Sequence, residues 1–175
     1  MALHEIDGKR PRLHPSVWLA PGCQIVGDVE IGEASSVWFN SVIRGDVERV
    51  RIGARTNIQD LTMIHVTHGR FTCLIGDDVT VGHGVSLHGC RVLGRALIGM
   101  SAVILDDAEV GEDTIVAAHS LVRVGFKVPQ GTLVAGVPAT VKRDLKSSEI
   151  EEIHHSAERY VEYARGYKKG LKELV

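Results

Sequence analysis

Aliphatic residues recur along this chain with a period of six: Leu13, Leu19, Ile25, Ile31, Val37 and Ile43, then Ile52, Ile58 and Ile64, then Ile75, Val81 and Leu87, then Ile98, Ile104, Val110, Val116 and Val122. The next residue is often glycine (Gly32, Gly53, Gly76, Gly82, Gly99, Gly111), as expected where backbone passes close to backbone or turns a corner. Each hexad reads as a short strand plus a corner. One such strand cannot bury its apolar side, but turns stacked at roughly 4.8 Å cover one another, and the pattern predicts an all-β solenoid. Three hexads per turn give a triangular prism. The register breaks after Ile43, Ile64 and Leu87. They bound the coils 52/58/64 and 75/81/87, which places all three breaks, read as insertions, at one corner, where a site commonly forms.

After Val122 the pattern decays into the stretch Gly125–Pro138, and the β-helix is expected to cover about 11–140. The period then changes. Ser148 and Glu151 have the spacing of a capping box, and Ile150, Ile153, Ala157, Val161, Ala164, Leu171 and Leu174 recur at three and four residues, predicting an amphipathic helix over about 148–173. Its stripe must cover a prism face or meet a neighbouring subunit, because an isolated helix is marginal. The Glu149/Glu151/Glu152 cluster then complements the helix dipole.

Composition fits a narrow interior. The 175 residues, read as a single domain over 1–175, hold 19 glycines but only three Phe, three Tyr and two Trp, so the core must come from stacked Val, Ile and Leu. A net charge of −2 from 20 basic and 22 acidic residues, with no basic block, gives no footprint for nucleic acid. No run approaches 18 apolar residues and no signal-peptide core is seen, so neither a membrane nor export is expected and a cytoplasmic location is the default. Cys23, Cys73 and Cys90 form no Cys-x-x-Cys pair and read as reduced thiols, with Cys90 a small buried hydrophobe.

Among nine histidines, three hold informative addresses. Arg44, His65 and His88 each follow the register residue of the third hexad in successive coils, so they should form one column, with His65 and His88 on adjacent rungs and spaced to share a metal ion. His83 sits two places after the second-hexad residue, above Asp60, on another face or corner. One prism cannot easily bring the three to one ion, but a threefold homotrimer could, by setting one subunit's second face against its neighbour's third. Three histidines with an open water position are the catalytic zinc pattern, though iron(II) or cobalt also suits such a set. His68 lies in a corner insertion, and His4, His14, His119, His154 and His155 read as ordinary surface histidines.

The segments Arg44-Gly45-Asp46, Asn57-Ile58-Gln59-Asp60, His65-Val66-Thr67-His68, Gly82-His83-Gly84 and Leu87-His88-Gly89-Cys90 resemble the γ-class carbonic anhydrases and their relatives. The resemblance implies a left-handed parallel β-helix and a homotrimer with zinc at the subunit interfaces, bound by His65 and His88 of one subunit and His83 of the next. It further implies a cross-interface salt bridge between Arg44 and Asp60, and roles for Asp46 and Gln59 in positioning the metal-bound water and the substrate. Tyr160, on the terminal helix with Tyr163, matches a place where relatives put a polar side chain near the metal. The implied reaction is reversible hydration of CO₂ to bicarbonate by hydroxide generated on zinc. Val47 stands where the active members carry a glutamate, and 67–74 lacks their acidic loop, which implies slow proton export. Two alternatives stand beside this. Val134-Ala135-Gly136-Val137-Pro138-Ala139 resembles the end of the coil in hexapeptide-repeat acyltransferases, pointing to acyl-CoA chemistry, as acyltransferase or thioesterase; a structural or metal-storage homologue without turnover is the other.

Overall fold

The computed structural model describes residues 2–174, so Met1 and Val175, the ends of the expected single domain, lie outside it. The chain winds as a left-handed parallel β-helix of hexapeptide repeats, followed by one C-terminal α-helix. Consecutive coils pair in parallel on three faces. The first face carries the rungs Leu13, Ile31, Ile52, Ile75, Val92, Val110 and Val128. The second carries Leu19, Val37, Ile58, Val81, Ile98, Val116 and Val134. The third carries Ile25, Ile43, Ile64, Leu87, Ile104 and Val122.

All the expected rungs point inward, and all but Leu13 and Leu19, in the outermost coil, are buried. Two expectations about the register need correction. The interval from Leu87 to Ile98 is not an insertion: Val92 pairs with Ile75 and Val110 and is buried, so this hexad is one residue short. Nor does the helix decay at Val122, because Val128 and Val134 add two further rungs, each stacked on the coil before it. An antiparallel strand, Ala139–Asp144, then closes the second face. The insertions after Ile43 and Ile64 do leave at one corner, between the third and first faces.

The α-helix, α1, spans Ser147–Gly170. Its N-cap is Lys146, and Glu149 Oε2 accepts the Lys146 N–H at 2.9 Å, so the expected Ser148/Glu151 box is displaced by two residues. The cause is Arg143, whose guanidinium grips both Glu149 oxygens at 2.7 Å and fixes where the helix begins. Arg143 and the Lys146 backbone hold the Glu149 carboxyl down at about 2. Ile153, Ser156, Ala157 and Ala164 are buried against the second face, whereas Leu171 and Leu174 lie past the helix and are exposed, so the stripe is shorter than expected. No helix of the described residues is long and apolar enough to cross a membrane.

The three faces differ outside. Along the first runs a charged column, Arg12, Glu30, Arg51, Leu74, Arg91, Glu109 and Lys127, laced by ion pairs such as Arg91–Glu109 at 2.8 Å. Such exposed pairs contribute roughly 0–1 kcal/mol each, and their main effect is to keep this face in water. Cys23, Cys73 and Cys90 are buried free thiols; the contact with Cys73 and burial push the Cys90 thiol well up, and burial raises Cys23.

Candidate metal centre and its two half-sites

The third face assembles the first cluster. His88 pairs in register with His65, as the column required, and His65 Nδ1 lies 3.1 Å from His88 Nε2. Each ring is held from behind by a carboxylate. His65 Nε2 lies 3.1 Å from Asp46 Oδ1, and Asp46, in the corner insertion, also accepts from Arg44 Nη1 at 2.5 Å and the Val47 N–H at 3.0 Å. His88 Nδ1 lies 2.7 Å from Asp106 Oδ1, while Thr67 Oγ1 donates to Asp106 Oδ2 at 2.8 Å. Burial lifts the Asp46 carboxyl, but the hydrogen bonds from Arg44 and His65 outweigh it and leave it below the usual range. Asp106 behaves likewise, with His88 and Thr67 outweighing burial. Burial lowers His65, against the opposing pull of the Asp46 hydrogen bond.

The corner between the second and third faces carries the second cluster. His83 Nδ1 lies 2.7 Å from Asp60 Oδ2, and the Phe39 N–H donates to Asp60 Oδ1 at 3.1 Å. Helix α1 packs Tyr160 on Trp38, with ring centroids 5.3 Å apart, and an open cavity of about 480 Å³ lies between Asp60, His83, Trp38 and the helix tyrosines. Burial, then the nearby Asp60 charge, raises Tyr160. Six of the eight aromatic residues, Trp18, Trp38, Phe39, Tyr160, Tyr163 and Tyr167, gather at this seam between α1 and the second face. Gln59 is buried on the same face and donates from Nε2 to Asn57 Oδ1 at 3.1 Å.

Within one chain, then, His65, His88, Asp46 and Arg44 come together, and His83, Asp60 and Tyr160 form a separate group beside Gln59. Arg44 and Asp60 do not meet in the single subunit; each has a local partner, Asp46 and His83 respectively. Among the described residues no three His, Cys, Asp or Glu side chains converge as a complete ligand set. Asp106 and Thr67, as holders of His88, are not evident from the motif spacing. A signal was nonetheless present: Asp106 follows Ile104 by two, the address that Gly89 holds one coil earlier.

The model for bacterial transferase hexapeptide (six repeats) matches residues 10–45. A carbonic anhydrase of Geobacillus kaustophilus is 45% identical over 166 residues, covering 95% of this chain and 91% of that protein. The chain belongs to the hexapeptide-repeat family of left-handed β-helix proteins. That family takes in both γ-carbonic anhydrases and acyltransferases. Arabidopsis thaliana mitochondrial gamma carbonic anhydrase 2 is 40% identical over 168 residues, 93% of this chain, and the chain spans only 60% of that relative's length. Among solved structures, a Bacillus cereus protein assigned as a candidate acetyltransferase superposes with a TM-score of 0.93 at 43% identity, covering 95% of this chain and 96% of its own. Proteins named for both chemistries, carbonic anhydrase and acetyltransferase, are thus among those similar to this chain.

Proposed function

We propose that this protein is a metal-dependent hydratase of the γ-carbonic anhydrase type, working on CO₂ and bicarbonate, with each site completed between two subunits of a homotrimer. The observation that carries the reading is the pair of ring nitrogens facing each other at 3.1 Å. Asp46 and Asp106 can each accept from the far nitrogen of one ring, which leaves His65 Nδ1 and His88 Nε2 as the facing pair open to a cation. That arrangement is repulsive until a proton or a cation lies between them. Two nitrogens on a tetrahedral zinc at about 2.0–2.1 Å are themselves about 3.3 Å apart, so the donor set fits such an ion with little movement. His65 and His88 would hold it on one subunit and the partner subunit's His83 would complete the set; zinc, iron(II) or cobalt would all be accepted.

The ion supplies a Lewis acid that lets water deprotonate near neutral pH. The chain's own groups do the rest. Asp46, fixed by Arg44 and the Val47 N–H beside His65, would accept a hydrogen bond from the reacting water. Gln59 would orient CO₂ through its amide, and Tyr160 would close the pocket from α1. Trimer formation is supported by the third face, whose outward column Val42, Met63, Ser86, Val103 and Leu121 is largely apolar, with Met63 43% exposed, in contrast to the charged first face. Stopped-flow CO₂ hydration by the zinc-loaded oligomer, abolished by a chelator and restored by zinc, is the expected result; no turnover in fully loaded protein would overturn the assignment.

A second reading has its own observation. The His83–Asp60 pair, with 2.7 Å between Nδ1 and Oδ2 beside an aromatic cavity, has the form of an oriented general base, which is all an acyl-CoA transferase asks of histidine. The Bacillus cereus similarity favours the same reading. Under it, His65→Ala and His88→Ala retain acetyl-CoA-dependent turnover; under the hydratase reading both variants lose activity.

A further inference from the structure

His88 stands between two demands: its Nε2 must present a lone pair, and its ring must not turn. We infer that Asp106, anchored by Thr67, is the positioning residue that fixes the tautomer and orientation of His88 for metal binding, and that residue 89 is glycine to leave the carboxylate room. This inference rests on the metal-site reading above. Asp106 Oδ1 accepts from His88 Nδ1 at 2.7 Å, and Nε2 is the nitrogen turned to His65. Its other oxygen is not free to swing away, because Thr67 Oγ1 donates to Oδ2 at 2.8 Å from the corner insertion. The insertion is itself tied by the Thr67–Phe71 bridge.

Gly89 makes the contact possible. A Cβ at this position would stand 2.3 Å from Asp106 Oδ1, 3.1 Å from Asp106 Cγ and 2.8 Å from Phe71 Cβ, and the backbone there has a φ of +54°. Any side chain at 89 therefore displaces the carboxylate from His88. The shortened hexad between Leu87 and Val92 contributes too: without a projecting loop at this coil, Asp106, one coil further on, reaches directly back across the corner. The two histidines thus have carboxylate holders of different origin, Asp46 from the coil before His65 and Asp106 from the coil after His88. Carboxylates behind metal-bound histidines typically account for 10–100-fold in metal affinity.

The test uses the purified 175-residue protein, stripped of metal. In ¹⁵N NMR, His88 of the wild type should carry its proton on Nδ1; in Asp106→Ala the proton should move largely to Nε2. Zinc titration against a chromophoric chelator should show affinity falling 10–100-fold in Asp106→Ala, and a few-fold in Thr67→Val, with the melting curve of the metal-free protein little changed. Unaltered His88 nitrogen signals, or zinc bound by Asp106→Ala as tightly as by wild type, would overturn the inference. A wild type that takes up no zinc would overturn the functional reading instead, and the NMR comparison would still decide the role of Asp106.

Discussion

Replacing His65 by alanine should lower CO₂ hydration about a thousandfold while leaving the metal-free fold intact. A Lewis acid at a reacting centre contributes several kcal/mol to the transition state, and about 1.4 kcal/mol corresponds to each factor of ten. His65 points outward from the third face, and its neighbour Ile64, not the imidazole, fills the prism. The variant should therefore keep its oligomeric mass and its melting temperature without metal. What it should lose is the stabilisation that zinc adds to the wild type, since a ligand that binds only the native state raises apparent stability by mass action. Stopped-flow rates with and without zinc, together with melting curves across zinc concentrations, check both halves. Full CO₂ hydration in His65→Ala would contradict the metal-site role of His65, and retained acetyl-CoA-dependent turnover would favour the acyl-transfer reading.

The largest effect on stability is expected at a glycine. In Gly76→Ala the new Cβ would stand 1.7 Å from the Leu93 carbonyl oxygen and 2.5 Å from its carbon, and both are backbone atoms that no rotamer change can move. The same stretch is tied by the Gly76 N–H donating to Val92 O at 2.8 Å, so relief requires the coils to separate locally. Overpacking of this kind costs about 1–3 kcal/mol, and the upper end is expected here, a fall in melting temperature of about 10 °C for a chain of this size. Gly166→Ala is the contrasting case. It lies within α1 with nothing near its Cβ position, and alanine should stabilise the helix by about 0.5–1 kcal/mol. Thermal melts of the two variants beside wild type measure the difference; equal melting temperatures would contradict the close-stacked account of the glycine column.

Much of the prism was legible because its physics is local: every inward rung must be aliphatic, so Ile25, Ile58 or Ile104 announces its place by spacing alone. The register failed to reveal Val92 because the corner before it is one residue tighter, and a fixed period cannot follow a shortened turn. Val128 and Val134 were hidden by the surrounding glycines and prolines, which mark corners as readily as an ending. At the α1 start, Ser148 and Glu151 had the right spacing, but Arg143, arriving from the antiparallel strand, selects Glu149; that contact depends on tertiary structure. The His65–His88 column and the His83–Asp60 pair followed from hexad addresses, since residues at matching addresses on adjacent coils are neighbours across the rung. Asp106 was overlooked for a related reason: it acts across a corner, on the coil before it, where no sequence motif joins it to His88.

In the proposed trimer each chain carries two halves of different sites, His65 and His88 on one face and His83 at another corner. Hybrid oligomers test it most directly. The His83→Ala protein retains the pair, and the His65→Ala protein retains the third ligand, so neither should hold zinc tightly or turn over alone. Unfolded together and refolded as mixed trimers, they should regain zinc and CO₂ hydration at those interfaces where the intact pair of one subunit meets the intact His83 of its neighbour. Mixed trimers as metal-free and inactive as their parents would contradict the shared site.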